Sequence, residues 1–284
     1  VTAAHAGATA GVAKGSQLGT YVLTGSASGI GAATKARLES DGHRVIGVDV
    51  QAADVTVDLR TAAGRAEAIE RITALAGDSI DGFVPFAGLA PAAGRSVADM
   101  VAVNYFGAVE LLEGLRPLLT AGTRPAVVLV SSNSTTAQPG WPVEVAEACL
   151  EGDEQKATEL AAAFGDIASV QAYPATKAAL AWYARTRSAE YIKDGIRLNA
   201  VAPGIIETPM TIVGREDPLV GEAMKGFVGV VPAGRGGTPE EVAALVAFLL
   251  GPESTYMVGS VVFVDGGIDA TFRGKDWPKP LPIG

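Results

Sequence analysis

The sequence predicts a single α/β domain: a doubly wound, seven-stranded parallel sheet with helices on both faces. Three observations predict it. From about residue 20 onward, short β-branched runs alternate with long amphipathic stretches, which is the alternation that β-α-β units produce. A turn carrying Gly25, Gly29 and Gly31 joins the first run to the first amphipathic stretch. No linker rich in Pro, Ser or charge interrupts the alternation, so nothing marks a second domain.

Taken in order, the first strand is expected at 21–24, directly before the glycine turn, and the first helix at 29–41, directly after it. A second strand, 44–49, ends on Asp49, and a short third one follows at 55–57. Helix 61–76 leads to strand 82–87, helix 98–119 to strand 126–131, and helix 174–194 to strand 197–202. Helix 239–250 has the clearest start, with Thr238 as N-cap, Pro239 at the first helical position and Glu240 and Glu241 behind it. Strand 261–264 closes the sheet. The domain is placed at 18–270, between an N-terminal arm, 1–17, and a C-terminal tail, 271–284. Two segments break the alternation: an insertion, 133–165, carrying Trp141, Pro142 and an acidic run from Glu144 to Glu154, and an apolar segment with breakers, 205–232. Long irregular stretches in a compact domain are commonly functional. The acidic run reads as a solvated helix face rather than a metal site.

Composition narrows the function. Hydrophobic residues make up 48% of the 284 and charged ones 19%, the reverse of a disordered chain. A net charge of -9 repels phosphate backbones, which argues against a nucleic-acid partner. The longest apolar run, 242–250, is too short to span a membrane. Cys149 is the only cysteine and His5 and His43 the only histidines, so neither a disulfide framework nor a zinc ligand set is expected, and no metal is assigned. Residues 1–17 lack a basic start followed by an apolar stretch, and a cytoplasmic protein is expected.

The turn Gly25-Ser26-Ala27-Ser28-Gly29-Ile30-Gly31 between a strand and a helix lets the backbone approach a pyrophosphate and meet its charge with helix N-terminal amides, the Rossmann-type arrangement. Asp49, 18 residues after Gly31, can accept bonds from ribose hydroxyls and would repel a 2′-phosphate; its plain alternative is a strand-end cap. No Arg or Lys among residues 26–28 or 50–52 offsets that charge, so NAD is favoured over NADP. Asp58 and Leu59 follow the third strand, within reach of an adenine edge. Tyr173 and Lys177 lie four apart near an expected helix start, on one face, and an ammonium beside a phenol favours the phenolate. Free tyrosine titrates at about 10, and bringing it to about 7 takes roughly 4 kcal/mol. Pro174 fits the first turn of that helix, where a missing N–H costs nothing.

Thr24-Gly25-x-x-x-Gly29-x-Gly31, Ala87-Gly88, Asn104-Tyr105-Phe106-Gly107, Ser131-Ser132, Tyr173-Pro174-Ala175-Thr176-Lys177, Asn199 to Gly204, Glu207-Thr208-Pro209 and Val264-Asp265-Gly266-Gly267 occur in order. Together they resemble the short-chain dehydrogenase/reductase family over about residues 20 to 270. Within it, 103–107, 266–269 and the long segment before Tyr173 are most similar to the bacterial 3α-hydroxysteroid dehydrogenase/carbonyl reductase branch. The resemblance implies a catalytic set of Asn104, Ser132, Tyr173 and Lys177. Tyr173 would exchange the proton, Ser132 hold the substrate oxygen, and Asn104 hold a water linking Lys177 to solvent. It also places Ala87, Gly88, Pro203, Gly204, Ile206 and Thr208 on the cofactor, with the apolar segment after Thr208 as a substrate lid; its Met and Val residues fit ordinary core or dimer surface as an alternative.

The sequence departs from the family twice. Pro85-Phe86 stand where the family carries Asn-Asn, which puts the support of the fourth strand and the adenine-side contacts in question. Forty residues, 133–172, separate Ser132 from Tyr173, far more than in most members, so subunit pairing is expected to differ: a homodimer most simply, a tetramer otherwise. Trp141 and Pro142 are candidates for the substrate entrance. The expected function is NAD(H)-dependent interconversion of a secondary alcohol and a ketone, on a hydroxysteroid or similar apolar carbonyl compound. The alternatives are another small alcohol or carbonyl substrate, or a dinucleotide-sensing regulator without catalysis. A sugar-nucleotide epimerase is disfavoured by the glycine spacing.

Overall fold

The computed structural model describes residues 18–280. The expected arm, 1–17, and the last four residues of the expected tail lie outside the described residues.

Seven strands form one parallel sheet: β1 Thr20–Thr24, β2 Arg44–Asp49, β3 Val55–Thr56, β4 Gly82–Pro85, β5 Ala126–Val130, β6 Arg197–Pro203 and β7 Val261–Val264, in the order β3-β2-β1-β4-β5-β6-β7. Side chains alternate between the faces with period two. Val22, Phe83, Val127 and Leu129 enter one apolar core, while Leu23, Val84, Val128 and Val130 enter the other. Every residue of β5 and β6 is buried, as a sheet covered on both faces requires. The strand order reverses between β1 and β4, and the crevice beyond those strand ends is where such sheets bind ligands.

The helices are α1 Gly29–Ser40, α2 Ala62–Ala76, α3 Val97–Val101, α4 Gly107–Thr120, α5 Ser134–Ala137, α6 Val143–Glu151, α7 Glu154–Ala162, α8 Ala168–Tyr191, α9 Pro209–Gly214, α10 Gly221–Val228, α11 Pro239–Leu250 and α12 Ile268–Arg273. The start of α11 is as expected: Thr238 and Glu241 form a reciprocal capping box. Pro85 is tolerated because it ends β4. The β4–β5 ladder covers Gly82 and Phe83 only, so the missing N–H breaks no bond there.

Four expectations need correction. The helix expected at 98–119 contains a π-helical turn, Ala102–Phe106, between α3 and α4, with Asn104 inside it. The helix expected from 174 begins at Ala168, so Pro174 lies in the interior of α8 and not in its first turn. The insertion is not irregular: α6 and α7 pack on α8 and α3, and Val145, Ala146, Ala148, Cys149, Ala157 and Ala161 are wholly buried. Glu144, Glu147 and Glu151 occupy the outer face as expected, whereas Glu154 pairs with the buried Arg65 at 2.6 Å. Trp141 packs on Trp182 and donates to the Thr135 carbonyl at 3.1 Å, and Pro142 is buried; neither lines the cleft described next.

Candidate active site

A cleft of about 770 Å³ opens at the carboxyl ends of the strands. Its floor is the glycine turn. Gly25 has φ +64°, and a Cβ there would stand 2.6 Å from the Ala87 nitrogen; a Cβ on Gly31 would stand 2.0 Å from the Gly25 carbonyl oxygen. No side chain fits at either position, so the backbone is left bare to a ligand. Gly25, Ser28, Gly29, Ile30 and Gly31 line the cleft. Ser26 and Ala27 do not. The Ser26 side chain turns toward Gly47 of β2, and the Ala27 N–H donates to Asp49 Oδ2 at 3.0 Å.

Asp49 ends β2 facing the cleft, and its Oδ1 also accepts the N–H groups of Val50 and Gln51. The strand-end cap and the cleft-facing carboxylate are thus one residue in two roles. Asp58 and Leu59 line the same end. Asp58 is held by Arg60 at 2.5 Å, whose hydrogen bonds keep its carboxyl below the usual range. Thr24 orders the turn after β4: its carbonyl accepts the Phe86 N–H and its hydroxyl the Ala87 N–H at 3.0 Å. Ala87, Gly88, Pro203, Gly204, Ile206 and Thr208 complete the wall. Thr208 Oγ1 also caps α9 by accepting the Thr211 N–H.

The end of β5 gives two adjacent serines different partners. Ser131 Oγ donates to the Lys177 carbonyl at 2.8 Å and so fixes α8 against the sheet. Ser132 faces the cleft with Tyr173 and Lys177. Burial raises the Tyr173 phenol, and the hydrogen bond from Ser132 pulls the other way. Burial pushes the Lys177 ammonium down to about 8. Its Nζ donates to the Val130 carbonyl at 2.9 Å and stands 5.9 Å from the Tyr173 ring centroid. Burial therefore outweighs the Ser132 hydrogen bond, and the phenol stands above its ordinary value rather than below it as its spacing to Lys177 leads one to expect.

Asn104 is not on the cleft wall. Its Oδ1 accepts the Leu89 N–H at 2.7 Å and its Nδ2 donates to the Leu89 carbonyl at 3.0 Å, which ties the π-helical turn to the loop after β4. A Cβ on Gly88 would touch both the Asn104 amide and Lys177 Nζ, at 3.3 and 3.6 Å, so the two side chains flank that glycine.

Sequence reasoning missed several wall residues, among them Phe86, Leu89, Arg95, Val103 and Ser131, while Met210 comes from the segment expected as a lid. Their common signal is position: most follow the carboxyl end of a strand. The 205–232 segment folds into α9 and α10 with Met210, Ile212, Val213 and Val230 exposed. Asp217 between them accepts the Ala93 N–H on both oxygens, at 3.0 and 3.2 Å, tying this segment to the loop after β4. On the other side Ser169 of α8 donates to the Ala92 carbonyl at 3.1 Å.

The family model described as NAD dependent epimerase/dehydratase matches residues 21–211, and that described as Enoyl-(Acyl carrier protein) reductase matches residues 156–269. The chain is 40% identical over 252 residues to the 3-alpha-hydroxysteroid dehydrogenase/carbonyl reductase of Comamonas testosteroni, covering 89% of this chain and 97% of that one. It is 33% identical over 268 residues to the short-chain reductase protein NovJ of Streptomyces niveus, covering 89% and 94%. Among solved structures, the 3-alpha-hydroxysteroid dehydrogenase from Pseudomonas sp. B-0831 complexed with NADH superimposes with a TM-score of 0.85 at 45% identity, covering 90% of this chain and 99% of that one.

Proposed function

This chain belongs to the short-chain dehydrogenase/reductase family, and on that premise we propose that it is an NAD(H)-dependent oxidoreductase interconverting a secondary alcohol and a ketone, with an apolar, hydroxysteroid-like compound as substrate. The observation that carries the proposal is the convergence of Ser132, Tyr173 and Lys177 on the cleft that also holds the glycine turn and Asp49. The full-length relatives are dehydrogenases and reductases, while the epimerase/dehydratase model stops at residue 211; this favours the oxidoreductase over the epimerase reading.

The residues fit a dinucleotide. The bare Gly25–Gly31 turn with the start of α1 would take the pyrophosphate, Asp49 the adenosine ribose, and Pro203, Gly204, Ile206 and Thr208 the nicotinamide end. Asp58, Leu59, Ala87 and Gly88 border the path between them. NAD, when bound, supplies the hydride acceptor and a positive charge, and NADH the hydride. Tyr173 donates its proton to the carbonyl oxygen in reduction and takes the hydroxyl proton in oxidation. Ser132 holds that oxygen against the phenol. Lys177 carries the charge that favours the phenolate, and Asn104, by fixing the π-helical turn beside it, orders the backbone that would hold a relay water.

The segment 205–232 serves as the lid, latched by Asp217 to the loop after β4. The protein acts as a homodimer in the cytoplasm. Coverage of α3 and α8 by the insertion favours an interface away from those helices. Among the described residues no helix is long and apolar enough to cross a membrane. The test is NADH oxidation against a panel of steroid ketones, aromatic ketones and aliphatic ketones. No turnover of any ketone by a protein that binds the dinucleotide would favour the regulator instead.

A further inference from the structure

Proline in the interior of a helix deletes one main-chain hydrogen bond. In α8 the proline is Pro174, next to Tyr173, and the carbonyl it leaves without a main-chain donor is that of Val170, four residues earlier. That carbonyl is not left bare. Gln138 Nε2 donates to it at 2.9 Å, across 32 residues of sequence.

Gln138 is itself firmly placed. Its N–H donates to the Ser134 carbonyl at 3.1 Å, closing α5, and the Ser132 carbonyl accepts the Thr135 hydroxyl at 2.8 Å. Trp141 pins the same short helix from beyond, through its bond to the Thr135 carbonyl and its packing on Trp182 of α8. Ser132 and Tyr173 thus stand at two ends of one strap. Its side-chain tie lands on the carbonyl that the proline beside Tyr173 sets free. Gln138 does not line the cleft, so it acts through its neighbours.

We propose that Gln138 is a positioning residue for Tyr173: its amide replaces the main-chain hydrogen bond that Pro174 deletes, and so holds the phenol at the height of Ser132. The proposal rests on the reading of Tyr173 as the acid–base group. Its logic is a paired one. Wherever residue 174 can supply an N–H, the Gln138 amide is no longer needed.

The test compares the full-length wild type with Gln138→Met, Pro174→Ala and the double variant. Each is assayed for ketone reduction, for its pH profile and for NADH binding, with hydrogen exchange followed in residues 168–177. In Gln138→Met, kcat is expected to fall about tenfold, since a small displacement of a reacting group is costly. The alkaline limb of the profile should shift, NADH affinity should hold, and exchange in 168–177 should quicken. In the double variant, kcat and exchange should return to within about twofold of Pro174→Ala, the coupling expected of two groups serving one carbonyl. An unchanged kcat and pH limb in Gln138→Met, or a defect that Ala at 174 does not relieve, overturns the proposal. Exchange does not depend on turnover, so an inactive wild type counts against the proposed function, whereas unchanged exchange in Gln138→Met counts against Gln138.

Discussion

The Lys177 ammonium donates to the Val130 carbonyl at 2.9 Å inside the protein, and burial lowers its pKa from 10.5 to about 8. Above 10.5 neither the folded nor the unfolded chain carries this proton, and the burial penalty vanishes. Between 8 and 10.5 the unfolded chain binds it and the folded one does not, so stability rises with pH across that window; it is lost as pH falls from 10.5 to about 8, below which the burial penalty is constant. Relative to Lys177→Met, the wild type should therefore gain on the order of 3 kcal/mol between neutral pH and pH 10. Urea unfolding of both proteins at the two pH values measures it; a pH-independent difference would contradict the burial argument.

Asp49 should decide the cofactor. Its carboxylate lies at the end of β2 on the cleft wall, with the Ala27, Val50 and Gln51 N–H groups already on its oxygens. A 2′-phosphate brought beside it meets a like charge. Wild type should bind NADH more tightly than NADPH, and Asp49→Ser should narrow that preference by about tenfold or more. Titration by intrinsic fluorescence reads both affinities. Tighter binding of NADPH by the wild type would reverse the assignment.

The bond between Asp217 and Ala93 should govern substrate entry. Partial burial works against the Asp217 carboxylate, but the N–H groups of Leu219, Ala93 and Val220 outweigh it and hold its pKa below the ordinary range. The latch therefore stays charged through the neutral range and into mild acid. Asp217→Ala removes it, and KM for a bulky ketone should rise about threefold to tenfold while NADH affinity is retained. A change in NADH affinity with KM unmoved would place the residue on the cofactor path instead.

The sheet was readable in the sequence because buried parallel strands are continuous apolar runs, and all seven fall where those runs lie. The glycine turn was readable for a different reason: at Gly25 and Gly31 any side chain would strike backbone. What escaped was set by contacts between distant segments. The apolar face of α6 is built from Val145, Ala146, Ala148 and Cys149, and the glutamates between them disguise it as a solvated run. The true start of α8 was hidden because Pro174 is a sound signal for a first turn. The carbonyl it frees is taken by the distant amide of Gln138. Asn104 was expected to hold a water linking Lys177 to solvent, and nothing in the sequence shows that Leu89 takes both ends of its amide. The Tyr173 phenol was expected to be made acidic by Lys177 together with the positive nicotinamide of NAD, and the spacing to Lys177 carries no information about desolvation.

Steady-state ketone reduction by Tyr173→Phe beside the wild type, followed as NADH absorbance with NADH affinity measured on the same samples, tests the central claim most directly. Removing the hydroxyl deletes the proton donor and leaves the ring that packs the site. The expected result is a loss of about a thousandfold or more in kcat with NADH affinity within about threefold of wild type. Turnover that survives the substitution would contradict the assignment of Tyr173 as the acid–base group.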